Sequence, residues 1–337
     1  MNKSFFLLPA KLALLVGLVA WLVHSGKLDF SKLSLLWGRP QWLAGLLLFF
    51  VLVHVPLSCL RWRALLAAQG VRLPLGLALR QTWIGNFFNL ALPGAVGGDV
   101  VKAFYLIRRE GHPKLAVVQS LVMDRLLGLA GFALLGLGFL PLAWPQVQGV
   151  AALGWVALVT LLLGLGVLLA GLWTLAPLQP GQDPVARLLA WLPLQRATHK
   201  LYAATRTYSQ HPRALLASLG YSLLLQFGVL CVFFGLLNLL GGEIEFALLA
   251  VLLPLAMIFV ALPLTPGGIG VGHAAFAAIL APAGVALGAD LFNLFVLVQM
   301  LAFLGGAGAY LSYRQPVQAA GLALFQRQEL EEDLRKL

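Results

Sequence analysis

Asp99, Lys102, Asp124, Arg125 and His273 are ionisable residues set in otherwise apolar sequence. A charge at the centre of a membrane helix costs roughly 2.5–3.5 kcal/mol on insertion scales, so such residues face a partner or a hydrated cavity. Asp99 and Lys102 are three residues apart and share a helical face. Asp99 follows Gly97-Gly98 at the start of a helical segment, and two roles fit it there. It can stabilise the helix N-terminus through a capping bond and the dipole, or it can couple to a proton or cation or meet a polar head group. The backbone N–H groups of Gly97 and Gly98 can form an anion nest, with Lys102 balancing Asp99. Asp124 and Arg125 are adjacent, so on a helix their side chains point about 100° apart. They are expected to bridge to different elements, the first glycine-proline break among them, as a structural ion network or as part of a site. His273 can titrate near neutrality or make a local hydrogen bond. Asn86 and Asn89 precede the first break on one helical face.

Two interruptions must position these residues. The first reads Leu92-Pro93-Gly94-Ala95-Val96-Gly97-Gly98-Asp99. The second reads Pro263-Leu264-Thr265-Pro266-Gly267-Gly268-Ile269-Gly270-Val271-Gly272-His273, and Pro266 follows Pro93 by 173 residues. Proline removes a backbone donor and clashes with the preceding turn. Glycine permits positive φ and close approach. Freed backbone groups at membrane depth are tolerated only inside protein or beside water. Matched breaks in the two halves of a membrane protein therefore predict re-entrant helical hairpins that meet at a transport site. Two kinked spanning helices packed through small residues are the alternative.

Composition sets the class. The 337 residues are 61% apolar and 10% charged, against about 25% charged in a soluble domain. The chain is read as an all-α polytopic membrane protein with about six full spans, near 5–23, 41–60, 115–140, 150–172, 214–240 and 291–313. Residues 143–146 are expected to form a short turn. The two hairpins are expected over 75–107, with arms 75–92 and 97–107, and over 246–283. Residues 1–315 form one membrane domain, with inverted halves at about 41–140 and 214–314. Span 150–172 and a basic cytoplasmic loop, 174–213, link them; residues 316–337 form a cytoplasmic tail helix. The first apolar run lacks a small-x-small cleavage pattern and is expected to be a retained span.

The 23 Lys and Arg residues divide as 19 on one side, three on the other (Lys27, Lys32, Arg39) and Arg125 within the membrane. The positive-inside rule then places both termini in the cytoplasm. The same rule accounts for the net charge of +11, so nucleic acid is not an expected partner. Cys59 and Cys231 lie in apolar runs and are expected to be buried thiols with no disulfide or metal role. No metal-spaced cluster, Ser-His-Asp arrangement or phosphate-binding GxxxxGK[ST] loop is present, and no cofactor is expected.

The segments Leu92–Phe104, Asp124-Arg125-Leu126-Leu127-Gly128 and Pro263–Gly272 resemble the lysylphosphatidylglycerol synthase transmembrane-domain family, the flippase-like membrane domain of the multiple peptide resistance factor. The resemblance extends from the first span to Arg314. It implies movement of a lipid between leaflets of a bacterial cytoplasmic membrane. Members with a fused soluble synthase make and flip aminoacylated phosphatidylglycerol; this chain carries no such segment, so the substrate does not carry over. The family commonly has Glu where this sequence has His273.

The expected function is therefore that of a non-enzymatic flippase for a phosphate-bearing lipid, either phospholipid or polyprenyl-linked. Its expected site is Asn86, Asn89, Pro93, Gly94, Gly97, Gly98, Asp99, Lys102, Asp124, Arg125, Pro266, Gly267, Gly268, Gly270 and His273. A membrane-embedded transferase using a lipid-linked donor is one alternative. An accessory subunit of a lipid-synthesising enzyme is another.

Overall fold

The computed structural model describes residues 34–91, 97–175, 207–262, 265 and 268–313. The expected first span, the hairpin tip around Pro93 and Gly94, residues Pro266 and Gly267, most of the basic loop and the tail helix lie outside the described residues. The described residues are helical throughout their regular structure. In order, the elements are α1 (Ser34–Trp37), α2 (Pro40–Leu48), a π-helical segment (Phe49–His54), α3 (Val55–Ala68), α4 (Leu75–Ala91), α5 (Gly97–Arg108), α6 (Lys114–Val147) and α7 (Ala151–Leu175). There follow α8 (Pro212–Leu239), α9 (Phe246–Ala261), α10 (Val271–Leu280) and α11 (Gly288–Phe303).

Five helices among the described residues are long and apolar enough to cross a membrane: Pro40–Ala68, Lys114–Val147, Ala151–Leu175, Pro212–Leu239 and Gly288–Tyr313. They fall on the five later expected spans. Their outer surfaces expose Leu52, Trp155, Leu162, Leu169 and Leu224, as a lipid-facing surface requires.

The helices α4, α5, α9 and α10 are 17, 12, 16 and 10 residues long. All are shorter than the ~20 residues needed to cross a bilayer. They occur as two packed pairs, α4 with α5 and α9 with α10. The ends of the first pair meet the end of the last span. The guanidinium of Arg109, just past α5, stacks on the Tyr313 ring at 3.7 Å, and that of Arg80 on α4 lies 5.6 Å from it. Tyr313 donates its hydroxyl to Glu110 at 2.7 Å. The start of α9 is tied elsewhere. Gln146 at the end of α6 bonds Glu245, and Phe246 packs on Phe139, Phe227 and Phe234.

Two elements differ from expectation. The helix begun at Pro40 does not end at Arg61; it runs on to Ala68, with Arg61 and Trp62 buried. It passes through the π segment just before Pro56, where Val55 N–H reaches back five residues to Phe50 C=O. A wide turn there makes room for a residue that has no N–H of its own. The expected turn at 143–146 is helical. α6 continues through Pro141 and Pro145 to Val147. Ala143 and Val147 are buried in the main apolar core, and that packing outweighs the ~3 kcal/mol penalty of an interior proline. Cys59 is buried as expected, but Cys231 is exposed on α8.

Among the described residues three apolar clusters hold the helices; one packs α3 and α6 on Tyr208 and Leu215. The larger of the other two joins α2, α6, α8, α9, α10 and α11. The smaller joins α3, the first helix pair and the start of α6 through Cys59, Trp62, Leu66, Ala78, Leu106 and Leu121. Within the first pair α4 and α5 touch at glycines. A methyl group added to Gly98 would stand 1.9 Å from the Gly85 carbonyl oxygen. A methyl group on Gly288 would stand 2.3 Å from the Phe276 carbonyl oxygen, at the contact between α11 and α10. Both obstacles are backbone atoms that cannot swing aside. Gly98→Ala and Gly288→Ala should each destabilise the protein by about 1–3 kcal/mol or more, measured by thermal unfolding in detergent. Gly166→Ala, in open space on α7, should leave the transition unchanged within error.

Candidate functional site

A cavity of about 420 Å³ lies where the first helix pair faces α3, α6, α9 and α11. Its wall is sharply divided. Among the described residues, its charged side chains all belong to the first half of the chain: Arg61, Asp99, Lys102, Asp124 and Arg125. The second half supplies mainly apolar surface, including Met257, Val260, Phe292, Phe295 and Phe303.

The charged groups form two linked ion-pair systems. Asp124 on α6 receives both arms of a forked contact from Arg61 on α3, with Nε at 2.7 Å from Oδ1 and Nη2 at 3.0 Å from Oδ2. Arg61 Nη1 also donates to Ser222 Oγ at 3.2 Å. This ties α3, α6 and α8 together. Asp99 in the first turn of α5 accepts from Arg125 Nε at 2.6 Å, and its other oxygen lies 3.4 Å from Lys102 Nζ. Lys102 lies over the Trp62 ring at 4.6 Å. The adjacent Asp124 and Arg125 thus reach different elements, as their angular separation requires. Arg61, Asp99, Lys102 and Asp124 are all buried. Arg125 is the accessible charge, with 38% of its side chain exposed.

The cavity gathers Asn86, Asn89, Asp99, Lys102, Asp124 and Arg125 from the expected site. Gly97 and Gly98 are buried at the start of α5 beside them. The anion-nest role at Gly98 is corrected by the structure, because its N–H donates to Asn89 Oδ1 at 2.8 Å. Gly98 has no positive φ and serves close packing of the two arms; positive φ appears instead at Gly268 (72°) and Gly270 (93°).

His273 occupies the third position of α10, as Asp99 does in α5. Its surroundings are different. Its Nδ1 accepts from Gly270 N–H at 3.2 Å, and its ring meets Phe292 edge-on with centroids 5.1 Å apart. It makes a local cap and is not part of the cavity wall. Ile269 from the same turn lines the cavity.

Arg61 is the principal residue that sequence reading placed elsewhere. An Arg-Trp-Arg run after an apolar stretch resembles a loop anchor. The available signal was Asp124, an acid deep in a span that required a basic partner. Lys102 was likewise counted among loop charges and is buried; with both removed, 17 basic residues stand against three, and the bias persists. Gln226 on α8 donates to Gly128 C=O on α6 at 2.9 Å.

A helical, multi-pass chain with paired short helices and buried ion pairs defines an integral membrane protein with an internal polar site. The chain belongs to the family described as the lysylphosphatidylglycerol synthase TM region, whose model matches residues 9–305. No curated protein and no solved structure matches it significantly.

Removing one partner of a buried ion pair leaves an uncompensated charge and costs about 3–5 kcal/mol, whereas replacing both by apolar groups is often neutral. Arg61→Met should therefore lower thermal stability in detergent strongly. The double variant Arg61→Met with Asp124→Leu should recover most of that loss.

Proposed function

We propose that the protein moves a phosphate-bearing lipid between the leaflets of a bacterial cytoplasmic membrane without making or breaking covalent bonds. The observation that carries this reading is the divided cavity. One side presents buried charges and amides suited to a head group; the other presents Met257, Phe292, Phe295 and neighbours suited to the start of an acyl or prenyl chain. At about 420 Å³ it lies within the ~300–1,000 Å³ range of ligand pockets, and it admits a head group while chains extend toward lipid.

The helix pairs support an alternating-access mechanism. The first pair opens beside Tyr313, at the end of the last span. The second opens beside Gln146, at the far end of α6 from Lys114. In this reading they are re-entrant hairpins entering from opposite faces, and the halves are inverted copies about a central site. The basic bias of the loops orients the first hairpin's open end to the cytoplasm, with both termini on that side. The family's lipid-related description agrees with the assignment.

In proteoliposomes, purified protein should accelerate leaflet exchange of a labelled phospholipid or polyprenyl phosphate. Arg125→Gln, which removes the half-exposed cation and leaves Lys102 beside Asp99, should reduce that exchange by tenfold or more while membrane insertion is retained. Normal exchange by this variant would remove the site from the mechanism.

A further inference from the structure

Resting on the reading of the cavity as a head-group site, we propose that it selects lipids whose head group carries one uncompensated negative charge and excludes aminoacylated ones. Three observations carry this. First, among the described residues the lysine and arginines of the wall outnumber its carboxylates. Arg61, Lys102 and Arg125 face Asp99 and Asp124, a formal balance of +1. A bound monoanion brings the site to neutrality, whereas a lysyl head group with net positive charge adds to the imbalance. In a low-dielectric site such repulsion is large.

Second, each carboxylate already faces a cation. Asp124 Oδ1 and Oδ2 both accept from Arg61. Asp99 Oδ2 accepts from Arg125, and its Oδ1 lies 3.4 Å from Lys102. An ammonium needs acceptors and offers none, so at these oxygens it competes with a cation of the protein that is already in place.

Third, the wall holds a buried donor in need of an acceptor. Asn86 Nδ2 is buried and has no hydrogen-bond partner among the described residues, although the residue lines the cavity. Leaving a buried donor unmade costs about 1–3 kcal/mol, and a phosphate oxygen satisfies it. Arg125, with 38% of its side chain exposed, supplies the charge that an entering phosphate meets. Such charge-assisted bonds to phosphate are the strong ones. The apolar half of the wall distinguishes a lipid phosphate from a free one.

The test compares phosphatidylglycerol, phosphatidylethanolamine and lysylphosphatidylglycerol with identical acyl chains. Leaflet exchange is read in proteoliposomes, and retention on the detergent-purified protein is read separately by native mass spectrometry. Inorganic phosphate is added as a competitor. Phosphatidylglycerol should exchange, and be retained, at least tenfold better than the lysyl lipid, with phosphatidylethanolamine between them. Inorganic phosphate should not displace it. Arg125→Gln, which sets the formal balance to zero, should bring phosphatidylglycerol and phosphatidylethanolamine within about twofold of each other. Asn86→Leu should weaken phosphatidylglycerol while leaving the lysyl lipid unchanged. Equal or better handling of the lysyl lipid would overturn the inference and leave transport standing. Displacement by inorganic phosphate would overturn the site as a lipid site. Absence of exchange with the predicted retention order would refute transport and support the charge selection.

Discussion

Charge buried inside an apolar chain has to be neutralised from within, and in this protein that requirement joins elements far apart in sequence. Arg61 and Asp124 lie 63 residues apart, Asp99 and Arg125 lie 26 apart, and Ser222 closes the first system from 161 residues away. Each bond is directional. A forked guanidinium-carboxylate contact fixes both side chains in one plane, so α3 and α6 have little freedom to slide. The Asp99–Arg125 bond does the same for the first helix pair and α6. An apolar interface alone tolerates many registers. These bonds choose one.

The same constraint explains the cavity. Apolar side chains close most gaps in the large core around α8, α9 and α11. At the boundary with the smaller cluster they cannot, because guanidinium, carboxylate and amide groups need room and partners. A small polar chamber results, with its charged side supplied by one half of the chain and its apolar side by the other. The two halves share an order of long helix, short pair and long helix, yet corresponding positions in the short pairs differ. Asp99 enters the ion network, while His273 caps its own helix and turns to Phe292. Lys102 similarly has no cationic counterpart, since Phe276 stands 174 residues on and is buried in the apolar core. One half supplies the polar chemistry, and the other supplies most of the apolar wall.

Much of this was legible in sequence. The glycine-proline breaks located both helix pairs to within a residue or two, because loss of a donor and loss of a side chain act locally. Asp124 and Arg125 announced partners on other elements, because an unpaired charge in lipid is too costly to ignore. What was not legible depended on tertiary contact. Arg61 looked like a loop anchor until its carboxylate was known. Pro145 looked like a turn until Ala143 and Val147 were seen in the core. The Gly97-Gly98 pair looked like an anion nest, and the structure shows Gly98 bonded to Asn89 and pressed against Gly85. In each case a local signal was read correctly for the isolated segment and was overruled by a neighbour.

Alternating access requires one chamber that serves both faces of the membrane. Its most direct test is the reactivity of Asn86→Cys, in a background of Cys59→Ala and Cys231→Ser, toward a membrane-impermeant thiol reagent applied to each side of oriented vesicles. Alternating access predicts labelling from both sides, slowed from both by phosphatidylglycerol. Labelling from one side only, unaffected by lipid, would contradict it.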